Sequence, residues 1–249
     1  AGVDAARLTR SDLETTLAFV KMDGTDAQYA FYDDNSAARN WLFRPGDGVL
    51  DGLDAVHVGS VTLINEPSAA AYEALVAAAV HAGVFVSFDP NCRPSLVGDR
   101  AQYKARMARI ARMSHLVRFS EEDLAYLYPE EEEENIASDL LGQGAALILI
   151  SRGANGATAY GSFGKRDIAA QPVDVADTIG AGDTFHGAFL HSARECGLLA
   201  PQSLADADAS AIDGLLAYAT DAAAITCRRV GCRPPNGDEL RDPRTDLAG

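Results

Sequence analysis

Asp183 stands directly after Gly180, Ala181 and Gly182 in the run Asp177-Thr-Ile-Gly-Ala-Gly-Asp-Thr-Phe-His-Gly-Ala-Phe-Leu190. Three small residues, placed where irregular chain turns into a helix, let backbone N–H groups converge on one spot. The unused N–H groups and the positive pole of a helix N-terminus then attract an anion such as phosphate. A carboxylate beside an anion hole is what phosphoryl transfer to a hydroxyl needs, a proton acceptor next to a charge stabiliser. The same residues also suit a tight turn with Asp183 as an ordinary helix-start carboxylate. Physics alone leaves both readings open.

Three further segments carry chemistry-bearing side chains: Asp89-Pro-Asn-Cys-Arg-Pro94, Ser120-Glu-Glu-Asp123 and Ser151-Arg-Gly-Ala-Asn-Gly156. Arg93 offers a planar fork for a phosphate or a carboxylate, and Asn91 a secondary phosphate contact. Ser120 and Asp123 have capping-box spacing. Each segment follows an apolar run of strand type, Val84–Phe88, His115–Phe119 and Ala146–Ser151 respectively. In open α/β sheets ligands bind outside the carboxyl ends of the strands, so the three segments are expected on one active edge.

The elements that would hold them alternate. Ala55–Leu63 reads as a strand, and Pro67–Ala82 as a helix with proline at its start and Gly83 as its stop. Ala101–Met113, Glu121–Leu127, Ile136–Leu141 and a long Ala205–Thr226 read as helices. This alternation implies βαβ units and a mostly parallel sheet. Before it, Thr15–Met22 and Ala27–Asp33 flank Asp23-Gly24 and read as a β-hairpin. We therefore expect residues 1–48 to hold a hairpin and its connections, and residues 49–249 a catalytic core. The run Glu130–Glu134 reads as a solvated loop without a binding role.

Composition narrows the function. With 249 residues, 47% hydrophobic and 23% charged, the chain suits one α/β domain, or one plus a small appendage. A formal net charge of −15 argues against nucleic acid or an anionic membrane as partner. No apolar run reaches the roughly 18 residues that a membrane span needs. Cys92, Cys196, Cys227 and Cys232 show no zinc spacing and read as reduced thiols of a cytoplasmic protein. The five histidines lack ligand spacing and read as structural. No Walker-type glycine loop occurs, and Gly180-Ala-Gly182 fails the dinucleotide fingerprint because Phe185 stands where its third glycine belongs.

Taken together, the four segments closely resemble the ribokinase-like (PfkB) carbohydrate kinases. Asp177–Leu190 is similar to that family's GAGD box. The other three are similar to its D-P-N-x-R-P, S/N-x-x-E/D and T/S-x-G-x-x-G elements, in the same order. The sub-pattern resembles fructokinases and 2-keto-3-deoxygluconate kinases, from about Thr15 onward.

The resemblance implies a three-layer α/β/α fold, with a mostly parallel sheet and a small antiparallel β lid that covers the sugar and carries a homodimer contact. It implies ATP and Mg²⁺, with K⁺ as a further cation, and a small sugar or sugar acid as acceptor. Asp183 would take the hydroxyl proton, Gly180, Ala181 and Gly182 would form the anion hole, and Arg93 would meet the γ-phosphate or an anionic substrate. Ser151, Gly153 and Gly156 would line the nucleotide phosphates and ribose, and the Cys227–Gly231 turn would back the adenine. Ser120 and Asp123 would order metal-bound water, although the family often has Asn and Glu there. Asp177 matches a monovalent-cation position. The family's opening strand and its Gly-Gly-x-x-Asn sugar segment find no match, so an N-terminal part on the order of 60–80 residues is expected to be absent from this sequence. Fructokinase leads, with 2-keto-3-deoxygluconate kinase or an inactive ribokinase-like binding protein as alternatives.

Overall fold

A computed structural model of the protein describes residues 4–23 and 26–241. The chain forms two compact units, Ala1–His115 and Leu116–Gly249.

The first unit holds the hairpin and one βαβ turn. β1 (Leu17–Asp23) pairs antiparallel with β2 (Asp26–Tyr32), in a register running from Leu17↔Tyr32 to Asp23↔Asp26. Gly24 of the expected Asp23-Gly24 turn lies outside the described residues. β3 (Ala55–Gly59) and β4 (Phe85–Asp89) run parallel, joined through α1 (Ser68–His81). α2 (Arg100–Met113) packs on α1 and β4. Every residue of β4 is buried, as a run of Phe, Val, Ser, Phe and Asp covered on both faces would be. Asp99 caps α2 by accepting the Gln102 N–H at 3.0 Å. Arg109 pairs with Glu73 of α1 at 2.5 Å, and Arg106 reaches Glu73 at 3.3 Å. β3 stops at Gly59 and not at Leu63 as expected. Ser60 turns into the left-handed region (φ 60°) and gives its N–H to Pro90 O at 3.1 Å, so Ser60–Leu63 coils into a single 3₁₀ turn.

The second unit begins with β5 (Leu116–Ser120) and β6 (Leu147–Ser151), again parallel. Between them lie α3 (Glu121–Leu127), which packs on β5, and α4 (Glu133–Gly142), which packs on β6. Leu147, Ile148, Leu149 and Ile150 are almost fully buried, each contributing about 1.5–3 kcal/mol of apolar burial. β7 (Ala157–Gly161) and β8 (Gly164–Ile168) then add an antiparallel hairpin to β6. Sequence reading does not anticipate this hairpin, because its short strands mix Thr, Lys, Arg and Asp with the apolar residues.

α5 (Ala181–Glu195), α6 (Pro201–Ala205) and α7 (Ala209–Cys227) follow, with α5 packed along α7 and α7 lying on β7 and β8. The long helix expected over Ala205–Thr226 is broken. Asp208 takes an extended conformation and accepts the Ala211 N–H at 2.8 Å, which starts a new helix at Ala209. The acidic run also departs from a plain loop, since Glu133 and Glu134 open α4. Glu133 binds Arg152 at 2.5 Å and accepts the Tyr160 hydroxyl at 2.6 Å.

Candidate active site

In the second unit the segment Asp177–Asp183 is bound to the turn after α7. Gly180 is the N-cap of α5, in the left-handed conformation with φ 79°, and no side chain caps that helix. The left-handed φ favours glycine at 180, and a Cβ there would also lie 2.3 Å from Cys232 Sγ, which would have to shift. Asp183 sits in the first turn of α5 and is exposed. The Ala181 N–H turns back to Thr178 O at 3.2 Å, and Thr184 N–H bonds Gly180 O at 2.8 Å. The Ala181 N–H is thus already engaged at the head of the helix.

Asp177 works as a clasp. One carboxylate oxygen accepts Ile179 N–H and the other accepts Gly231 N–H, both at 2.9 Å. These bonds, Ile179 first, hold its carboxyl below the usual carboxylate range. Cys227 O accepts the N–H groups of Ala176 and Asp177 at 2.8 and 3.2 Å. Burial, followed by the Asp177 charge, pushes the Cys227 thiol up. Thr226 Oγ1 donates to Thr184 Oγ1 at 3.1 Å, pinning α5 to the end of α7. The expected GAGD and Cys227–Gly231 segments are thus brought together.

A second pair of turns lies at the ends of β5 and β6. Ser120 caps α3, with its Oγ accepting Asp123 N–H at 3.1 Å, while Asp123 Oδ2 accepts Ser120 N–H at 2.8 Å. Asp123 is buried, and this reciprocal box is the structural half of its expected role. Ser151 Oγ accepts from Arg118 Nη2. After it, Gly153 (φ 52°) faces open space, whereas a Cβ on Gly156 (φ 91°) would lie 1.9 Å from Ile168 O. Arg152 anchors the turn, reaching Glu121, Glu133 and Thr158.

Arg118 is the residue that sequence reading missed. It is buried at 6% exposure on β5, and a Cβ at Gly182 would stand 2.9 Å from its Nη2. The signal was a lone arginine inside Leu116-Val-Arg-Phe119, a charge on a strand buried almost end to end.

In the first unit, Asp89 Oδ1 accepts Asn91 N–H at 3.0 Å, and Asn91 takes a left-handed φ of 39°. Arg93 Nη1 donates to Asn91 O and Cys92 O at 3.1 and 2.9 Å, folding its guanidinium over its own loop. A Cβ at Gly59 would lie 2.0 Å from Asp89 O, so β3 and β4 meet without room for a side chain at their carboxyl ends. Two non-glycine residues of positive φ, Ser60 and Asn91, flank this junction. Backbone strain of this kind gathers at functional sites. Beside the hairpin lies an open cleft of about 720 Å³, whose charged lining is Glu14, Asp33, Asp34 and Arg39. Thr16 and Ser36 both donate to Asp33 Oδ1 at 2.7 Å.

Among the described residues no three of His, Cys, Asp and Glu gather as a metal cage. No described helix is long and apolar enough to cross a membrane.

Known proteins resemble this chain in sequence and in fold. Residues 1–238 match the model of the pfkB family carbohydrate kinases. A fructokinase from Rhizobium leguminosarum bv. trifolii is 36% identical over 198 residues, 80% of this chain and 60% of that protein. A fructokinase from Vibrio alginolyticus is 34% identical over 137 residues, 55% of this chain and 45% of that protein. The chain thus spans about half to three fifths of the length of these two relatives. Among solved structures, a fructokinase from Xylella fastidiosa with bound ATP gives a TM-score of 0.80 at 25% identity, covering 90% of this chain and 70% of that one. A fructokinase from Vibrio cholerae O395, in fructose-, ADP- and calcium-bound form, gives 0.76 at 24% identity over 96% and 76%. The fold is the ribokinase-like α/β fold expected from the sequence, and the chain belongs to the pfkB family of carbohydrate kinases.

Proposed function

We propose that the protein is an ATP-dependent sugar kinase that phosphorylates fructose. The observation that carries this reading is the uncapped, glycine-lined N-terminus of α5 with the exposed Asp183 in its first turn. The substrate hydroxyl oxygen attacks the γ-phosphorus of ATP in line as the bond to the β-phosphate oxygen breaks, so that a sugar phosphate and ADP leave. Asp183 aligns the hydroxyl and accepts its proton. The Gly182 amide, with the helix pole behind it, stabilises charge on the transferred oxygens. Arg93 serves the γ-phosphate, while Ser151, Gly153 and Gly156 receive the nucleotide phosphates and ribose. The turn from Cys227 to Gly231 backs the base.

Mg²⁺ fits as an ion held mainly by the nucleotide phosphates and water, because no cage of side chains is built for it among the described residues. When bound it neutralises phosphate charge. Asp123, already in its capping box, would reach it through water. Both oxygens of Asp177 accept backbone N–H groups, which favours a clasp over direct ligation of K⁺.

The acceptor is read from the hairpin cleft. Three carboxylates and one arginine, itself paired with Asp34 at 2.5 Å, suit a neutral polyhydroxy sugar and repel a sugar acid. This favours fructose over 2-keto-3-deoxygluconate. The hairpin is the lid, and its exposed Leu17, Phe19 and Tyr32 supply the apolar face of a homodimer contact. The protein works in the cytoplasm on small molecules, with neither nucleic acid nor membrane as partner.

The test is ADP release by the full-length polypeptide with ATP and either fructose or 2-keto-3-deoxygluconate. Turnover with fructose alone is expected. Turnover only with the sugar acid would overturn the choice of acceptor, and ATP binding without turnover on either acceptor would favour the inactive-binder reading.

A further inference from the structure

We propose that Arg118 is a positioning residue that holds the two nucleotide-binding turns of the second unit in register. The proposal rests on the kinase reading above. Arg118 lies in the middle of β5, and its Nη2 donates to Ser151 Oγ, the first residue of the Ser151–Gly156 turn. The same nitrogen fills the place where a side chain at position 182 would begin, since a Cβ there would stand 2.9 Å from Nη2 and 3.4 Å from Nη1. One rigid, planar group is therefore wedged between the turn that ends β6 and the turn that starts α5.

Geometry explains why arginine suits this place. A guanidinium is flat and its Nη2 carries two N–H groups, so one end of it can bond Ser151 while the same end packs on the Gly182 backbone. Lysine would keep the charge but not the fork. Gly182 thus has a packing reason to be glycine, because its hydrogen is what lets the guanidinium close on the helix start. A displacement of about 1 Å in either turn misaligns phosphate groups held by backbone amides, and such misplacement costs on the order of 100-fold in rate.

Five variants of the full-length protein test this: Arg118→Met, Arg118→Lys, Arg118→Ala, Gly182→Ala and the double variant Arg118→Ala with Gly182→Ala. ATP affinity by calorimetry and the KM values for ATP and fructose are the readouts, with far-UV circular dichroism to confirm folding. Arg118→Met should weaken ATP binding about 10- to 100-fold, the range for losing a charged hydrogen bond. The KM for fructose should stay within about twofold, and Arg118→Lys should recover part of the loss. Gly182→Ala should cost ATP affinity in the wild type and little more once Arg118 is already alanine, because both changes break one strut. Unchanged ATP affinity in a folded Arg118→Met protein would overturn the proposal, as would fully additive losses in the double variant. If none of the variants folds, Arg118 is a core residue and the proposal falls. A wild type that binds ATP but phosphorylates no sugar would sink the kinase reading alone, because the affinity comparison still stands. A wild type that binds no ATP would sink both.

Discussion

Asp177 bridges two backbone amides that lie 52 residues apart in sequence, Ile179 N–H on one carboxylate oxygen and Gly231 N–H on the other, each at 2.9 Å. The turn after α7 is thereby fastened to the loop that leads into α5. Asp177→Asn places an amide NH₂ against one of those N–H groups, so one bond becomes a repulsion. We expect weaker ATP binding and a lower melting temperature. The carboxyl is held low in the folded state, so its contribution is complete above the unfolded value of 3.8 and is lost as pH falls below that. Thermal melts from pH 6 to pH 3 should show a shallower acid loss in the variant, and equal slopes would refute the clasp.

Asp183→Ala removes the proposed proton acceptor and leaves the glycine turn and Arg118 in place. The expected loss in kcat is about 10²–10⁴, the usual size of a general-base contribution, with ATP affinity retained. Steady-state kinetics beside calorimetric ATP binding check it. Wild-type turnover in the variant would sink the assignment, and loss of ATP binding would show that Asp183 supports the turn itself.

Much of this was legible from the chain alone, for physical reasons. The buried strands β4 and β6 are continuous apolar runs with sharp punctuation, so their existence and order could be read within a residue or so. Ser120-Glu-Glu-Asp123 announced its own cap, because a capping box is a local arrangement needing no distant partner. The β7–β8 hairpin escaped notice because one strand carries Lys165, Arg166 and Asp167 in a row, and the partner of Arg166, Asp213 at 2.8 Å, lies far along the chain. Arg118 escaped for the same reason. A side chain whose meaning lies in the glycine it abuts 64 residues later has no local signature. The break before Ala209 turned on a single aspartate choosing a cap over a helical conformation.

The two glycines of the Ser151–Gly156 turn should respond very differently to alanine. At Gly153 the space is open and φ is 52°, so Gly153→Ala costs about 1–2 kcal/mol of left-handed strain. At Gly156 the new Cβ would lie 1.9 Å from Ile168 O and 2.9 Å from Ala169 Cα, both backbone atoms of the segment at the end of β8. Strain and overpacking together should cost roughly 2–6 kcal/mol. Chemical denaturation of the two variants gives the comparison. Equal losses would mean that the turn does not bear on β8 as described.

His115 offers a pH-dependent test of the first unit. Its Nδ1 accepts Val86 N–H at 2.9 Å, its backbone N–H donates to Val86 O at 2.9 Å, and its ring lies 5.4 Å from that of Phe85. Burial pushes the imidazole below its ordinary value of 6.5, and a proton on Nδ1 would destroy the bond to Val86. A base with a depressed folded pKa gives stability that is complete above about 6.5. As pH falls below that value the unfolded chain takes up the proton first, and stability declines. His115→Asn should flatten the loss between pH 7 and 5, since Asn Oδ1 can accept from Val86 without titrating. His115→Ala leaves a buried N–H bare and should cost about 1–3 kcal/mol at pH 7. Melting curves of the three proteins across that range decide it. If the asparagine variant loses stability as steeply as the wild type, the acid sensitivity comes from elsewhere and His115 is only a packing residue.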